Sequence, residues 1–547
     1  MERAVHHKMT IRPVAATLIG ALISTGEALA QPQEIFCQPI ECGTFRVLDD
    51  THKSQLQDPF FRLVLAPRPD VRKLADIEAL IMGTEGQRRF FVVSEEIKSS
   101  VQPASRRVVI DFVGKNGTFN LSSDVFLSFS FNSMTFPEAP DLEVLAWDEV
   151  NGVYNFYKLD REGEPNQVWK LAATSRNVDT ISPQQRAGTC LACHASGFPV
   201  MKELRFPWNN WHSGQSRIDY LQQITAPERR WPVAANPHFS PSTFLLGEDF
   251  EKSISAAIGR SNSRRFEQLI IKQTGGKLTV ADARRVLRPL FETTEVNLVS
   301  AGQQSGLHPL SGTTQVGPSQ TIKIPNSFFL MSAVLGSAGV NEANEFQSVA
   351  IVQPADYKAL IENSGVRITS DLTGRIRGDT HFSWFTPEQG FVASNWIATL
   401  IENGVVSKAF AAAVAAADLE TPVFSKERAM LLKFVPASFT TIPGEQHPDT
   451  LTRAIIAALE TSAPAPGSVA AQFLATLKAT DPVAVVRSRV EQYKDRIEQR
   501  LGPNADAGTR TGELQRLFGV LIDRRKAMIE HPLFGNLIES EALLPMP

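Results

Sequence analysis

Cys190 and Cys193 are two thiols with two residues between them, and His194 follows the second directly. On a helical turn, positions three apart share a face, so both sulfur atoms can meet one flat reactant. The imidazole beside them can deliver a ring nitrogen to a metal carried by that reactant. Three chemistries use thiols at this spacing. A redox dithiol is expected inside a strand–helix–strand unit and does not need the histidine. Here the flanks, Ser182 to Thr189 and Gly197-Phe198-Pro199, read as loop entering a short turn. A zinc site wants four ligands, usually from two such pairs. The chain has four cysteines, and the other two, Cys37 and Cys42, lie far upstream. The third chemistry, thioether attachment of haem through its two vinyl groups with the histidine on iron, uses every residue of the pattern.

The stretch Cys190-Leu191-Ala192-Cys193-His194 resembles the attachment motif of the c-type cytochromes. The resemblance covers these residues and implies one covalent haem c, with Cys190 and Cys193 as anchors and His194 as proximal ligand. What faces His194 across the haem plane then sets the chemistry. A Met ligand raises the reduction potential, a His ligand lowers it, and an open position permits peroxide or small-molecule chemistry. Small cytochromes c usually carry the methionine in a downstream Met-Pro loop. The Met-Pro pair here is Met546-Pro547 at the chain end, Met201 is too near His194, and Met331 in Phe328-Phe329-Leu330-Met331 reads as core. A histidine is therefore expected: His212 first, then His381 and His308, with an open site as the alternative. Trp208 and Trp211, beside His212, are expected to give haem a flat apolar contact, the alternative being that they fill a core.

The chain start fits export. Lys8 and Arg12 precede an apolar run, Val14 to Ile23, and Ala28-Leu29-Ala30 supplies a small-residue cleavage site. About ten apolar residues are too few to span a bilayer, which takes roughly 20. A signal peptide over 1–30 and a periplasmic or secreted protein are expected, and cytochromes c receive haem after export. In an oxidising space Cys37 and Cys42 are expected to form a disulfide across a small loop. Net charge is −3. Basic clusters are short, as at Arg229-Arg230 and Arg264-Arg265, which speaks against nucleic acid as a partner. After the signal no apolar run reaches membrane-spanning length, so no integral membrane segment is expected.

The elements that must hold the motif divide in two. Phe61–Leu65, Phe90–Val93, Arg107–Phe112 and Val125–Phe131 are rich in β-branched and aromatic residues and read as strands. The last alternates with period two, which predicts one buried and one exposed face. Leu142–Trp147, Asn151-Gly152 and Val153–Tyr157 predict a hairpin whose turn needs positive φ, and Lys115-Asn116-Gly117 marks another turn. One helix, Val71 to Met82, interrupts this β-sandwich-like region. From about residue 241 helical spacing takes over: Phe250–Ile258, Arg264–Gln273, Val280–Phe291 capped by Thr279, and Ala355–Asn363. Then come Pro387–Asn403 ended by Gly404, Lys408–Leu419 capped by Ser407, and Lys426–Phe434 capped by Ser425. Asp481-Pro482 opens a helix to Leu501, and Thr511–Glu530 forms another. The polar stretch 297–320 reads as a long loop. The expected fold is α+β: a β-rich domain over 31–175, a mainly helical haem c-binding region over 176–350, and a helical bundle over 351–547.

The expected function is single-electron transfer by an exported mono-haem c-type cytochrome with a redox partner protein. One alternative is a peroxidase- or oxygenase-like enzyme with an open iron. Di-haem peroxidases carry two attachment motifs, and this chain has one, so a carrier is favoured over a catalyst. The other alternative is an envelope binding protein with structural haem. No catalytic triad, P-loop, dinucleotide glycine pattern or HExxH is found, and no catalytic residue is assigned.

Overall fold

The computed structural model describes residues 35–36, 46–83, 86–95, 105–130, 141–161, 163, 165, 167–176, 190–192, 194, 197–199, 244–245, 247–292, 295–297, 322–323, 329–343, 351–352, 390–421, 425–530 and 543–545. The expected signal peptide, the 297–320 loop beyond Asn297 and the 355–363 helix lie outside these residues.

Six antiparallel strands form a meander in which spatial order follows chain order. They are β1 (Gln87–Glu95), β2 (Ser105–Val113), β3 (Val125–Ser130), β4 (Asp141–Asp148), β5 (Val153–Leu159) and β6 (Lys170–Thr174). The β4–β5 hairpin turns where Asn151-Gly152 predicted it, with Gly152 at φ 65° and Asp148 paired with Val153. A side chain there is doubly disfavoured, because a Cβ on Gly152 would also sit 2.9 Å from Arg264 Cγ.

Both faces of this sheet are buried at its centre, which corrects the expectation of one exposed face for the 125–131 run. Phe126 and Leu127 point to opposite sides, yet both are buried. On the first face Ile110, Leu127, Val144 and Tyr157 meet a helical layer. A short helix α1 (Asp50–Ser54) precedes that layer, which is built of a π-helical turn Phe61–Leu65 and α2 (Leu74–Met82). On the second face Phe91, Phe126, Leu145, Trp147 and Phe156 meet a long helix, α3 (Gly247–Leu269), and the segment bearing Leu191 and Phe198. A single sheet between non-sheet layers replaces the sandwich of two sheets.

Two local expectations also differ. Phe61–Leu65 is a π-helical turn, not a strand: the Ala66 amide donates to the Phe61 carbonyl at 2.8 Å, and Asp58 accepts from the Phe61 amide. A short apolar run does not by itself distinguish strand from buried helix, and the Asp58 cap decides it here. The helix expected from Val280 starts later, as α4 (Ala283–Phe291), with Asp282 as its cap. Leu278–Val280 is instead the middle strand of a small sheet between Ile270–Lys272 and Phe439–Thr441.

The C-terminal region is helical: α5 (Ser332–Ser337), α6 (Phe391–Glu402), α7 (Lys408–Ala415), α8 (Lys426–Met430), α9 (Thr450–Ser462), α10 (Val469–Leu477), α11 (Pro482–Leu501) and α12 (Ala507–Glu530). Ser407, Ser425 and Asp481 cap α7, α8 and α11 as their sequence positions predict, and Pro482 sits in the first turn of α11. Gly404, at φ 70°, follows α6. Trp396 is fully buried at the centre of this core and donates through Nε1 to the Val286 carbonyl at 2.9 Å. The α+β architecture read from the sequence is the architecture observed.

Asp58 is fully buried beneath the sheet's first face. It accepts from Tyr157 Oη (2.6 Å), Asn155 Nδ2 (2.8 Å) and the Phe61 amide (2.8 Å). Burial pushes its carboxyl up to about 6 from the ordinary 3.8, against the opposing pull of those donors. Folding therefore takes up a proton between these values. The associated stability is fully present below about pH 4 and is lost as pH rises through about 6, amounting to about 3 kcal/mol. Urea unfolding at pH 4.5 and pH 7 should show this loss in the wild type, and Asp58→Asn should flatten that part of the pH profile.

Candidate functional site

Cys190, Leu191 and Ala192 form a single 3-10 turn. The His194 amide donates to the Cys190 carbonyl at 2.9 Å, so the histidine lies one helical turn beyond the first cysteine. The Gly197 amide then donates to the His194 carbonyl at 2.8 Å, with Gly197 at φ 73°. That backbone state suits glycine and reverses the chain immediately after the histidine. The reversal brings the Phe198 carbonyl to 2.8 Å from His194 Nδ1.

That last contact fixes the imidazole. A carbonyl only accepts, so Nδ1 carries the proton and donates, and in the neutral ring the lone pair is on Nε2. An Nδ1–H donated to a backbone carbonyl is also the arrangement that orients metal-ligating histidines. The ring of Phe156, on β5, lies 5.3 Å from the imidazole centroid at 55°. This restricts the second rotational freedom of the ring. His194 is thus held by a backbone bond on one side and by the sheet on another.

The segment is fastened through apolar side chains. Leu191 and Phe198 are buried in the same cluster as Phe91, Phe126, Trp147 and Phe156, and Cys190 packs against that cluster while half buried. Cys190 is a thiol. Together with Val392 of α6, α3 covers another part of this face. Its Phe250 stacks on Phe91, with centroids 4.5 Å apart. Two polar contacts set its position. Ser253 donates to buried Asp111 at 2.8 Å, and the same carboxylate pairs with Arg89. Further along, Arg260 pairs with Asp124, donates to the Ser123 carbonyl at 2.8 Å and lies over the Trp147 ring. Burial raises the Asp124 carboxyl to about 6 even beside that guanidinium.

Of the residues singled out from sequence, Cys190 and His194 are brought together with this aromatic face. Cys193, Trp208, Trp211, His212, His308, His381, Cys37 and Cys42 lie outside the described residues. Met331 is buried in the helical core, as its sequence context predicts. The other described histidines are engaged elsewhere: His52 bonds Asp49, and His447 bonds the Leu477 carbonyl. Among the described residues no group of three or more His, Cys, Asp and Glu side chains is placed to hold a metal ion. No helix among them is long and apolar enough to cross a membrane.

Sequence reading missed Phe156 and the Phe198 carbonyl. Phe156 is legible only as a strand residue, because its contact with His194 depends on long-range packing. Gly197 was the local signal for the turn that delivers the carbonyl. Comparison with protein-family models, with curated proteins and with solved structures finds no match.

Leu191 anchors the motif, so truncating it tests the packing. Leu191→Ala should cost about 3 kcal/mol of unfolding free energy, because a fully buried leucine leaves both lost transfer energy and a cavity. Urea unfolding of the full chain measures it, and a change below about 1 kcal/mol would mean the motif is not seated on the sheet.

Proposed function

We propose that this chain is an exported mono-haem c-type cytochrome that carries single electrons between partner proteins. The single observation that supports this best is the His194 ring, whose Nδ1–H donates to the Phe198 carbonyl, the arrangement that orients a neutral imidazole for ligation through Nε2. The residues fit the group in two further ways. Cys190 is a half-buried thiol in a tight turn, one helical turn before the histidine. The turn is also seated before any group attaches, because Leu191 and Phe198 are buried against the second face of the sheet.

In this reading Cys190 and Cys193 form the two thioethers and His194 is the proximal ligand, with haem c as the one covalent cofactor. Bound in this way, haem supplies a one-electron couple. The chain's own part is to hold the imidazole still, so that its orientation does not change with oxidation state. The Phe198 carbonyl does this by hydrogen bonding, and Phe156 by packing. Phe91, Leu145 and Phe198 exclude water from the same side and keep the local dielectric low. His212 is the proposed ligand on the opposite face, with Trp208 and Trp211 beside it. A signal peptide over residues 1–30, a periplasmic or secreted location and a Cys37–Cys42 disulfide complete the proposal.

Expression with export and haem maturation should give a coloured protein, and peptides spanning Cys190–His194 should carry the mass of one haem. The double variant Cys190→Ser/Cys193→Ser should lose both colour and added mass. A colourless wild type with unmodified peptides would falsify the reading. The ferric spectrum then separates carrier from catalyst: a low-spin signal indifferent to cyanide fits a filled sixth position, and a high-spin signal that shifts with cyanide fits an open one. His212→Ala should convert the first to the second.

A further inference from the structure

α3 lies on the second face of the sheet with only part of its length. The stretch 247–260 carries Phe250, Ile254, Ala257 and Ile258, which pack in the cluster that also holds Leu191 and Phe198. Beyond it, Asn262 bonds Asn395 at 2.8 Å and Phe266 enters the helical core, so the rest of the helix is tied to α6 and its neighbours. Where the two parts join stand Gly259, Ser261, Asn262 and Ser263, all weak helix formers. Helices bend most readily at Gly and Ser positions of this kind.

The polar contacts beneath 247–260 form one connected seam. Arg89 and Ser253 meet the Asp111 carboxylate, and the Ser123 amide faces it as well. The Ser123 carbonyl accepts from Arg260 (2.8 Å) and from Tyr154 Oη (3.2 Å), and Arg260 pairs with Asp124. Two features work against the closed seam. Arg89 Nε, Asp111 Oδ1 and Arg260 Nε are buried without a hydrogen-bond partner among the described residues, and water would satisfy each of them if the seam opened. Buried Ser123 stands at φ 65°, a backbone state that favours glycine, and the bonds of the seam hold it there.

Both carboxylates couple this opening to protons. Burial pushes Asp124 up to about 6, against the pull of Arg260, and Glu149 on the β4–β5 turn raises it further. Burial also raises Asp111, against the pull of Arg89 and Ser253. The remaining charged group described nearby is Arg264, which pairs with Glu267 and donates to the Glu149 carbonyl. Opening hydrates both acids and returns them towards the ordinary 3.8. The closed state therefore holds protons that the open state releases. Closure is favoured most below about pH 4 and weakens as pH rises through about 6.

We propose that residues 247–260 form a lid, hinged at 261–263, which protons on Asp111 and Asp124 keep closed over the face that seats Leu191 and Phe198. Opening removes the helix that shares this face with the 190–194 turn, and so gives a partner or reactant access to it. The lid is a property of the chain and does not depend on whether the turn carries a cofactor.

Amide hydrogen exchange of the full chain, read by peptide mass spectrometry and corrected for the intrinsic pH dependence of exchange, measures the opening. Peptides from 247–260 should be less protected than those from β2, β3, β4 and α11. Their protection should fall about tenfold between pH 5 and pH 7.5 from Asp124 alone, and further with Asp111. Asp124→Asn should shrink that fall, and the double variant Asp111→Asn/Asp124→Asn should abolish it, even where loss of a charge partner lowers protection at every pH. If the double variant does not fold, the wild type and Asp124→Asn still decide. Protection of 247–260 that equals that of the strands, that stays constant or rises between pH 5 and pH 7.5, or that falls undiminished in Asp124→Asn overturns the proposal.

Discussion

A sheet with aromatic side chains on both faces cannot leave either face in water. Burying one Phe or Leu side chain contributes about 1.5–3 kcal/mol, and the second face alone carries Phe91, Phe126, Leu145, Trp147 and Phe156. Covering that face is the constraint from which the candidate site follows. α3 covers part of it with Phe250, Ile254, Ala257 and Ile258. Leu191 and Phe198 cover another part, and they stand on either side of His194. The chemistry-bearing segment is therefore also a structural plug. Its position is set by the same burial that stabilises the sheet.

Apolar burial is non-directional, so it cannot alone fix where α3 sits along the strands. The charged contacts do that. Arg89, Asp111 and Ser253 meet at one level of the helix, and Arg260 with Asp124 at another. Removing one partner from such a buried pair costs about 3–5 kcal/mol, because the other charge is left without compensation. A slide of α3 by one turn would break both pairs together. Their net contribution to stability is small, and their contribution to register is large. α3 also carries Phe266 in the helical core, and its Asn262 bonds Asn395 on α6 at 2.8 Å. The same helix that seals the motif's face thus links it to the C-terminal helices.

What could be read from the chain follows from the range of each interaction. Local signals were legible: Asn151-Gly152 as a hairpin turn, Ser407, Ser425 and Asp481 as caps, and Gly404 as a stop all act within a few residues. The Phe61–Leu65 turn was misread because its defining group, Asp58, is buried by Tyr157 and Asn155 from a strand far along the chain. The exposed face expected for Val125–Phe131 failed for a related reason. Period two says that faces alternate, and says nothing about whether a second layer covers the polar-looking side. The closeness of Cys190 and His194 was legible because both lie within one helical turn of the chain. Phe156 was not, because only the packed sheet brings it to His194.

This division bears on how the site can work. A loop histidine samples many orientations, and a ligand bond to it must offset that lost freedom. His194 is already restricted: a backbone carbonyl holds Nδ1, a strand residue packs the ring, and flanking buried side chains hold the backbone. Sites seated on regular elements keep their geometry better than sites on free loops. The 3-10 turn is short and carries little stability of its own, so the sheet supplies the rigidity and the turn supplies the reactive groups. A substitution on the second face at Leu145, the cross-strand partner of Phe156, therefore acts on His194 through the shared packing.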